Sequence, residues 1–243
     1  DWLVETLEKE LGENWEKEMI ALNEQAPTIL RANSLKTSTK HLIEELKHEN
    51  VESFQVPGFE NAVQLEEKKN VFLTSAFKDG LFEVQDAGSQ KIGEFLDVKP
   101  GMRVVDACAG AGGKTLHLAA LMENKGQIIA MDIHGWKLAE LKRRAKRAGA
   151  HNIETREITD NKVIKRLHEK ADRLLIDAPC SGLGVLKRNP DSKWKIDQDF
   201  IDRIRKEQET ILQDYSKIIK KGGKMVYATC SILPSENNEQ VEN

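Results

Sequence analysis

Two cysteines, 50 residues apart, stand in short loops that each follow an apolar run. Cys180 lies in DAPCSG (177–182), and Cys230 lies in ATCSILP (228–234). An apolar run that stops at Asp, Ala and Pro is typical of a buried strand entering a loop. A thiolate in such a loop can act as a nucleophile, although most unpaired cysteines are small packing residues. Because both cysteines fall at predicted strand ends, we interpret them as catalytic.

A second candidate site is the glycine-rich stretch VVDACAGAGGKT (104–115). It ends like a phosphate-binding P-loop, but the first glycine of that motif would fall on Cys108. The dinucleotide fingerprint fails as well, because its third glycine is missing. Small residues ahead of a helix also let the backbone approach S-adenosylmethionine (SAM), and we prefer this interpretation to a simple tight turn. The predicted contacts are Cys108, Ala109, Gly110, Ala111, Gly112, Gly113 and Lys114.

Three charged residues further along the chain are candidates to complete a SAM site. Asp132 ends the next predicted strand, where a carboxylate can accept hydrogen bonds from both ribose hydroxyls. Lys137 would lie near the cofactor or on an exposed helix face. Asp160 would contact the cofactor or cap a helix. Cys108 is better explained as a packing residue than as a nucleophile.

The elements that must position these residues alternate between strand and helix from about residue 86 onwards. Five predicted strands with intervening helices indicate an α/β fold with a doubly wound parallel sheet. In such a sheet ligands bind beyond the carboxyl ends of the strands, so we expect the unusual residues at one mouth. The strands are predicted at 102–107, 127–132, 153–158, 173–177 and 223–229, and the helices at 90–96, 114–123, 136–148, 161–169 and 198–220.

The N-terminal part of the chain has a different pattern. Apolar positions between 2 and 22 indicate an amphipathic helix or a helix pair. A compact α+β stretch follows, with strands predicted at 28–33, 53–56, 62–65 and 71–73 and a helix at 39–49. We therefore predict a helical linker over 1–24 that follows a missing N-terminal region, a small α+β domain of an RNA-binding type over 25–80, and a main domain over 81–243.

Composition limits the classes of function. Apolar residues make up 39% of the 243 residues, and no run reaches the ~18 residues of a membrane span, so we expect no membrane partner. Three scattered cysteines fit neither a disulfide framework nor a zinc site, so we predict no metal and a reducing, cytoplasmic setting. Residues 1–24 carry eight acidic and two basic side chains. The rest of the chain is mildly basic, which is compatible with a nucleic-acid partner, and nothing in it predicts an oligomer.

Three motifs in this order resemble the RsmB/Nop2/Sun family of RNA cytosine-5 methyltransferases. They are DACAGAGGKT (106–115), DAPCSG followed by GVLKRNPDSKW (177–194), and YATCSILPSENN (227–238). The resemblance covers about residues 25–243 and includes RANSLKTS (31–38). One departure is in the loop, which usually reads C-A-A-P-G-G-K in the family but has Gly110 and Ala111 here. Both residues are small, so the loop can keep its shape with less rigidity.

The resemblance implies a Rossmann-like class I SAM methyltransferase that methylates C5 of a cytosine in RNA, with 16S rRNA the expected substrate and tRNA the alternative. It assigns Cys230 as the nucleophile that adds to C6 and Cys180 as the residue that assists breakdown of the adduct. Asp177 would lie near the base or the methionine end of SAM. The family's catalytic domain also continues beyond this chain. A catalytically silent RNA-binding or assembly factor is the alternative of a different class, and the presence of both cysteines argues against it.

The stretch KRNPDSKWK (187–195) interleaves basic side chains with an aromatic one, which suits phosphate contacts and base stacking. A solvated loop with Trp194 packed inward explains the pattern equally well. The basic stretch 137–149 is explained most simply as a charged outer helix face. An unpaired or flipped cytosine is expected, because a paired base is not accessible to two thiols. The predicted RNA-contacting residues are Lys187, Arg188, Lys193 and Trp194.

Overall fold

The computed structural model describes residues 2–242, which form two compact units. One unit contains Pro27–Leu175 and Ile218–Val226, and we call it the sheet unit. The second contains the chain up to Ala26, Ile176–Lys217 and the chain from Tyr227 onwards. We call it the cysteine unit, because Cys180 and Cys230 both belong to it. The predicted division into a linker over 1–24, a small domain over 25–80 and a main domain over 81–243 stays a prediction.

The chain contains the following helices and strands. The helices are α1 (Trp2–Leu11), α2 (Trp15–Asn23), α3 (Thr39–His48), α4 (Ser75–Lys78), α5 (Ala87–Phe95), α6 (Gly113–Leu121), α7 (Gly135–Ala148), α8 (Asn161–Lys165), α9 (Gln198–Tyr215) and α10 (Asn238–Glu242). The strands are β1 (Ile29–Ala32), β2 (Ser53–Gln55), β3 (Ala62–Leu65), β4 (Phe82–Val84), β5 (Arg103–Asp106), β6 (Gln127–Asp132), β7 (Ile153–Glu157), β8 (Ala171–Asp177) and β9 (Ile219–Ala228).

The first sheet of the sheet unit has four strands in the order β2-β3-β1-β4, with antiparallel pairings. Its core contains Leu30, Leu42, Leu46, Val63 and Phe82. The strand predicted at 71–73 is wrong, because Val71–Leu73 form a 3₁₀ turn. The side chain of Asn70 accepts a hydrogen bond from the backbone N–H of Phe72 and so favours the turn. The fourth strand is β4. It ends at Val84, four residues beyond residue 80, where the small α+β domain was predicted to end.

The second sheet has five strands in the order β7-β6-β5-β8-β9. The pairings of β5 with β6, of β5 with β8 and of β6 with β7 are parallel, so the predicted doubly wound α/β fold is confirmed. The helix predicted over 198–220 is too long, because α9 ends at Tyr215 and β9 begins at Ile219. The carbonyl of Ile218 accepts the backbone N–H of Lys170 instead of a helical partner. The last strand was predicted to begin at residue 223, but β9 begins four residues earlier, at Ile219. The strand continues through Gly222, which has φ +80°.

The cysteine unit is built around helices. Its core contains Leu7, Leu22, Leu183, Leu186, Ile201 and Leu233, which come from α1, α2, α9 and the loops that carry the cysteines. The predicted N-terminal helix pair is therefore part of the packing of this unit. None of the helices within residues 2–242 combines the length and the apolar character needed to cross a bilayer.

Candidate active site

The glycine-rich loop leaves β5 and is tied by its backbone to the next strand. The N–H of Ala109 donates to the carbonyl of Met131 at 2.8 Å. The N–H of Gly110 donates to Oδ2 of Asp132 at 2.9 Å. At the other end of the loop, the hydroxyl of Thr115 donates to Oδ2 of buried Asp106 at 2.7 Å. The loop is thus fixed to β6, and the first turn of α6 is fixed to the end of β5.

Two glycines of this loop have backbone conformations that side chains rarely adopt. Gly110 has φ +53° and Gly112 has φ +89°. A Cβ added to Gly112 would lie 2.5 Å from Cγ of Leu141, whereas one added to Gly110 or Gly113 would meet nothing within 4 Å. Open space next to a bare backbone at a helix N-terminus is the surface that a SAM loop requires.

Asp132 is only 7% exposed and stands at the end of β6. Its Oδ1 accepts the N–H of His134 at 2.8 Å, and its Oδ2 accepts that of Gly110. Each carboxylate oxygen has a second lone pair, so both remain able to accept a ribose hydroxyl. The residues present therefore fit the predicted cofactor, and the individual contacts stay predictions.

The other predicted cofactor residues of the sheet unit have local roles. Asp160 is exposed and caps α8, because its Oδ1 accepts the N–H of Lys162 at 2.7 Å. The Nζ of Lys137 lies 5.7 Å from the ring centroid of Trp136. Cys108 is half-buried in the loop. The capping role of Asp160 is thus observed, and its contact with the cofactor stays a prediction.

Two buried residues, Arg31 on β1 and His117 within α6, escaped the sequence analysis. The guanidinium of Arg31 donates to the carbonyl of Gly113 at 2.8 Å and to the side chain of Gln85. Burial lowers the pKa of Arg31 to about 9, so it stays charged at neutral pH. Burial and the nearby Arg31 charge hold the pKa of His117 well below its usual range. His117 is therefore neutral within α6, the helix that follows the loop.

From sequence alone, the basic stretch 137–149 is explained as a charged outer helix face. For α7 this explanation is incomplete. Glu83 on β4 is buried and pairs with Arg144 at 2.8 Å and with Arg147 at 2.5 Å. Arg144 also donates to the carbonyl of Ala111 at 2.8 Å. Two of the basic side chains thus join α7 to β4 and to the glycine-rich loop, which charge patterning along one helix cannot reveal.

In the cysteine unit, Sγ of Cys180 and Sγ of Cys230 lie 3.2 Å apart. Both residues are thiols, with Cys230 exposed and Cys180 half-buried. The sulfur of Cys230 beside it, together with burial, raises the pKa of Cys180. Cys180 therefore keeps its proton and can donate it in a hydrogen bond to the more accessible sulfur of Cys230.

Backbone hydrogen bonds fix the two cysteine loops to one another. The N–H of Cys230 donates to Sγ of Cys180 at 3.3 Å, and its carbonyl accepts the N–H of Gly184 at 2.9 Å. The N–H of Ala178 donates to the carbonyl of Ala228 at 2.9 Å. Asp177 is half-buried at the end of β8, three residues before Cys180. The two sequence-predicted cysteines are thus brought together as a pair.

Side chains that the sequence analysis missed surround this pair. Glu236 accepts hydrogen bonds from the two serines that follow the cysteines, and Gln208 of α9 donates to it. Glu10 of α1 pairs with Arg205 and accepts the hydroxyl of Ser235 at 2.6 Å. These contacts join residues far apart in sequence, so no local pattern could have revealed them.

The predicted RNA-contacting residues lie in the cysteine unit as well. Trp194 is 77% exposed, so the inward packing that we considered is wrong. The Nζ of Lys193 lies 5.3 Å from its ring centroid. Lys187 pairs with Glu24 at 3.3 Å, and Arg188 is exposed. An exposed indole flanked by cations is suited to base stacking, and RNA contact stays a prediction.

Comparison with known proteins places this architecture. The sequence profile described as 16S rRNA methyltransferase RsmB/F matches residues 94–243, and that of the RsmF/B-like ferredoxin-like domain matches residues 1–72. A probable ribosomal RNA small subunit methyltransferase B of Synechocystis sp. is 37% identical over 100% of this chain and 55% of its own length. The ribosomal RNA small subunit methyltransferase B of Proteus mirabilis is 34% identical over 99% of this chain and 57% of its own length.

A solved structure of a related protein also matches this chain. The methyltransferase homologue from Pyrococcus horikoshii superposes with a TM-score of 0.85 at 30% identity, over 98% of this chain and 76% of that one. The chain spans a little over half the length of the two curated relatives.

The sheet order and the glycine-rich loop define a Rossmann-like fold of the class found in SAM-dependent methyltransferases. The chain belongs to the RsmB/F family of 16S rRNA methyltransferases, which confirms the resemblance to RsmB/Nop2/Sun proteins. The predicted cofactor, SAM, is confirmed for this family.

Proposed function

We propose that this chain carries the catalytic part of an RNA methyltransferase that transfers a methyl group from SAM to C5 of a cytosine, with 16S rRNA as substrate. The observation that carries the proposal is the pair of thiols 3.2 Å apart, one exposed and one half-buried. C5 of cytosine is a poor nucleophile, so the base must first be activated. A thiol that adds to C6 achieves this, because the resulting enamine has a nucleophilic C5.

The two cysteines have different roles in this proposal. Cys230 is exposed and adds to C6 as a thiolate. Cys180 keeps its proton, because its pKa is raised, and its hydrogen bond to the sulfur of Cys230 stabilises that thiolate. After methyl transfer, loss of the C5 proton expels Cys230, and we assign assistance in this step to Cys180.

The residues that would hold the cofactor lie in the glycine-rich loop and at the end of β6. The backbone of Gly110 and Gly113 borders open space, and Asp132 presents a carboxylate for the ribose hydroxyls. When bound, SAM supplies an electrophilic methyl group. Asp177 and the exposed Trp194 are proposed contacts of the target base and of its neighbours.

The proposal is tested by transfer of labelled methyl groups to bacterial small-subunit rRNA with the full-length protein. Cys230→Ala is expected to abolish transfer, because the nucleophile is lost. Cys180→Ala is expected to accumulate a protein–RNA complex that survives denaturing gels and is released by thiols, because the adduct forms but does not break down. Thr210→Ala, an exposed position on α9, is the matched control.

The outcomes separate the alternatives. Transfer to tRNA in place of rRNA would retain the chemistry and change the substrate. Undiminished transfer by both cysteine variants would show that the thiols are structural. Binding of RNA without any transfer by the parent protein would favour a silent RNA-binding factor.

A further inference from the structure

The carboxylate of Glu236 is fully buried and binds both loops that carry the cysteines. Glu236 is 0% exposed and accepts four hydrogen bonds within the cysteine unit. Oε2 accepts the backbone N–H of Ser181 at 2.8 Å and Nε2 of Gln208 at 3.0 Å. Oε1 accepts the hydroxyl of Ser231 at 2.6 Å and, more closely still, the hydroxyl of Ser181. Both carboxylate oxygens are thus used by the protein itself.

The pattern of these partners is symmetrical about the thiols. Ser181 directly follows Cys180, and Ser231 directly follows Cys230. Their hydroxyl oxygens lie 3.1 Å apart, close to the 3.2 Å that separates the two sulfurs. Glu236 therefore joins the two loops at the residue next to each nucleophilic or assisting thiol. The separation of the sulfurs is set on one side by their own contact and on the other by this carboxylate.

The chemistry of the donors explains why an acid is present and not an amide. The four groups that Glu236 receives are two hydroxyls, a backbone N–H and a side-chain amide, and all of them donate. A buried carboxylate is tolerated when such donors saturate it. A glutamine would have the same shape, but its neutral oxygen accepts hydrogen bonds less strongly than a carboxylate, and the serine hydroxyls would have to turn to accept from its NH₂ group. The attachment of both loops would then be weaker.

We propose that Glu236 is a positioning residue, which holds Cys180 and Cys230 at the separation that addition to cytosine and breakdown of the adduct require. The inference rests on the proposed function for its catalytic consequence. Its structural part, the control of the distance between two thiols, can be measured without any RNA. Gln208 takes part in the same arrangement, because it also donates to the carbonyl of Pro179 at 2.9 Å.

The first experiment measures the thiol pair directly in the full-length protein. Phenylarsine oxide forms two As–S bonds with a close pair of thiols and releases one water, with no change in oxidation state. The parent protein is expected to bind it, and Cys180→Ala is expected to lose that binding. Glu236→Gln is expected to weaken it roughly ten-fold, because the two loops and their thiols are held less firmly. Glu207→Gln, exposed on α9 one residue before Gln208, is the matched control.

The second experiment measures methyl transfer and SAM affinity in the same variants. Glu236→Gln is expected to reduce transfer roughly a hundred-fold, as misplacement of a reacting group does. Its SAM affinity is expected to match that of the parent, because the glycine-rich loop and Asp132 belong to the sheet unit. Arsenical binding and transfer at the parent level in Glu236→Gln would overturn the proposal. Absence of transfer in the parent would instead overturn the proposed function.

A variant that fails to fold does not stop the test. If Glu236→Gln loses SAM affinity and its cooperative unfolding, Ser181→Ala and Ser231→Ala decide the matter, because each removes one hydroxyl donor. Each is expected to weaken arsenical binding and transfer several-fold. Parent values in both serine variants would overturn the proposal.

Discussion

Two buried carboxylates organise the two candidate sites in different ways. Asp132 accepts two backbone N–H groups, and one of them comes from the glycine-rich loop. Glu236 accepts two serine hydroxyls, one backbone N–H and one side-chain amide. The sheet unit thus shapes its loop with backbone conformation and a nearby acid. The cysteine unit shapes its loops with side chains that meet from distant parts of the sequence.

The difference teaches what each site demands of its residues. A cofactor loop must expose its own backbone, so small residues and a carboxylate with lone pairs to spare are sufficient. A pair of thiols must be held at a fixed separation, so rigid attachment matters more than open space. Asp132 keeps a capacity for ligand, whereas the carboxylate of Glu236 is committed to protein partners.

The largest effect that tests this comparison is expected from a substitution of Asp132. Asp132→Asn is expected to raise the Kd for SAM, because a hydrogen bond to a charged group is worth about 1.5–3 kcal/mol, which corresponds to roughly 10- to 150-fold. Isothermal titration calorimetry measures this change. Phenylarsine oxide binding by the same variant is expected to match the parent. A parent-like SAM affinity would show that the carboxylate does not receive the cofactor.

Two glycines sharpen the comparison. Gly112→Ala places a Cβ 2.5 Å from Leu141 at φ +89°, and Gly184→Ala places one 2.7 Å from the carbonyl of Cys230. Each is expected to cost about 1–3 kcal/mol of unfolding free energy, measured by urea denaturation. Gly112→Ala should also weaken SAM binding, whereas Gly184→Ala should slow methyl transfer with SAM affinity intact.

Gly101→Ala is the matched control for these two changes. Gly101 has φ +91° and lies outside the glycine-rich loop, and an added Cβ meets nothing within 4 Å, so only the backbone cost of about 1 kcal/mol applies. Equal losses of SAM affinity at Gly101 and Gly112 would mean that the contact with Leu141 is unimportant.

The smallest expected effect is a pH dependence confined to the sheet unit. All six histidines belong to this unit, and His117 has a pKa held well below its usual value by burial and by Arg31. The unfolded chain therefore binds a proton below pH 6.5 that the folded chain does not. Stability is expected to fall as the pH decreases below 6.5, by at most about 1.4 kcal/mol per pH unit for this group.

Urea denaturation between pH 5 and 7.5 measures the effect. His117→Leu is expected to flatten the slope, because the replacement cannot take up a proton. His41→Leu, exposed on α3, is the control and should leave the slope unchanged. An unaltered slope in His117→Leu would show that another group causes the pH dependence.

The sequence predicted those features that depend on neighbours in the chain. Alternating apolar runs indicated the strands of the parallel sheet, and the glycine-rich stretch indicated a loop before a helix. Two of the exceptions follow the same logic. Residues 71–73 are apolar but too short to distinguish a strand from a turn, and the side chain of Asn70 decides for the turn. The end of α9 depends on Lys170, which lies 48 residues before Ile218.

The candidate site divides in the same way. Cys180 and Cys230 were recognisable by their motifs, and the structure brings their sulfurs together. Glu236 was not recognisable as part of the site, because its partners Ser181 and Gln208 lie 55 and 28 residues away in sequence. A pattern along one chain reports local preference, whereas a buried network is defined by tertiary contact.

The attachment points around Glu236 also define which part of the chain can change. Ser181 and Leu186 at one end, and Ile201 and Gln208 at the other, are buried or hydrogen-bonded within the cysteine unit. The stretch between them, 187–197, carries exposed Trp194 and passes outside the carboxylate network. Within this stretch Ile196 packs against the core of the unit and Lys187 pairs with Glu24, whereas Trp194 makes no hydrogen bond to Glu236. A change at the exposed indole alone therefore leaves the hydrogen bonds that join the two thiol loops in place.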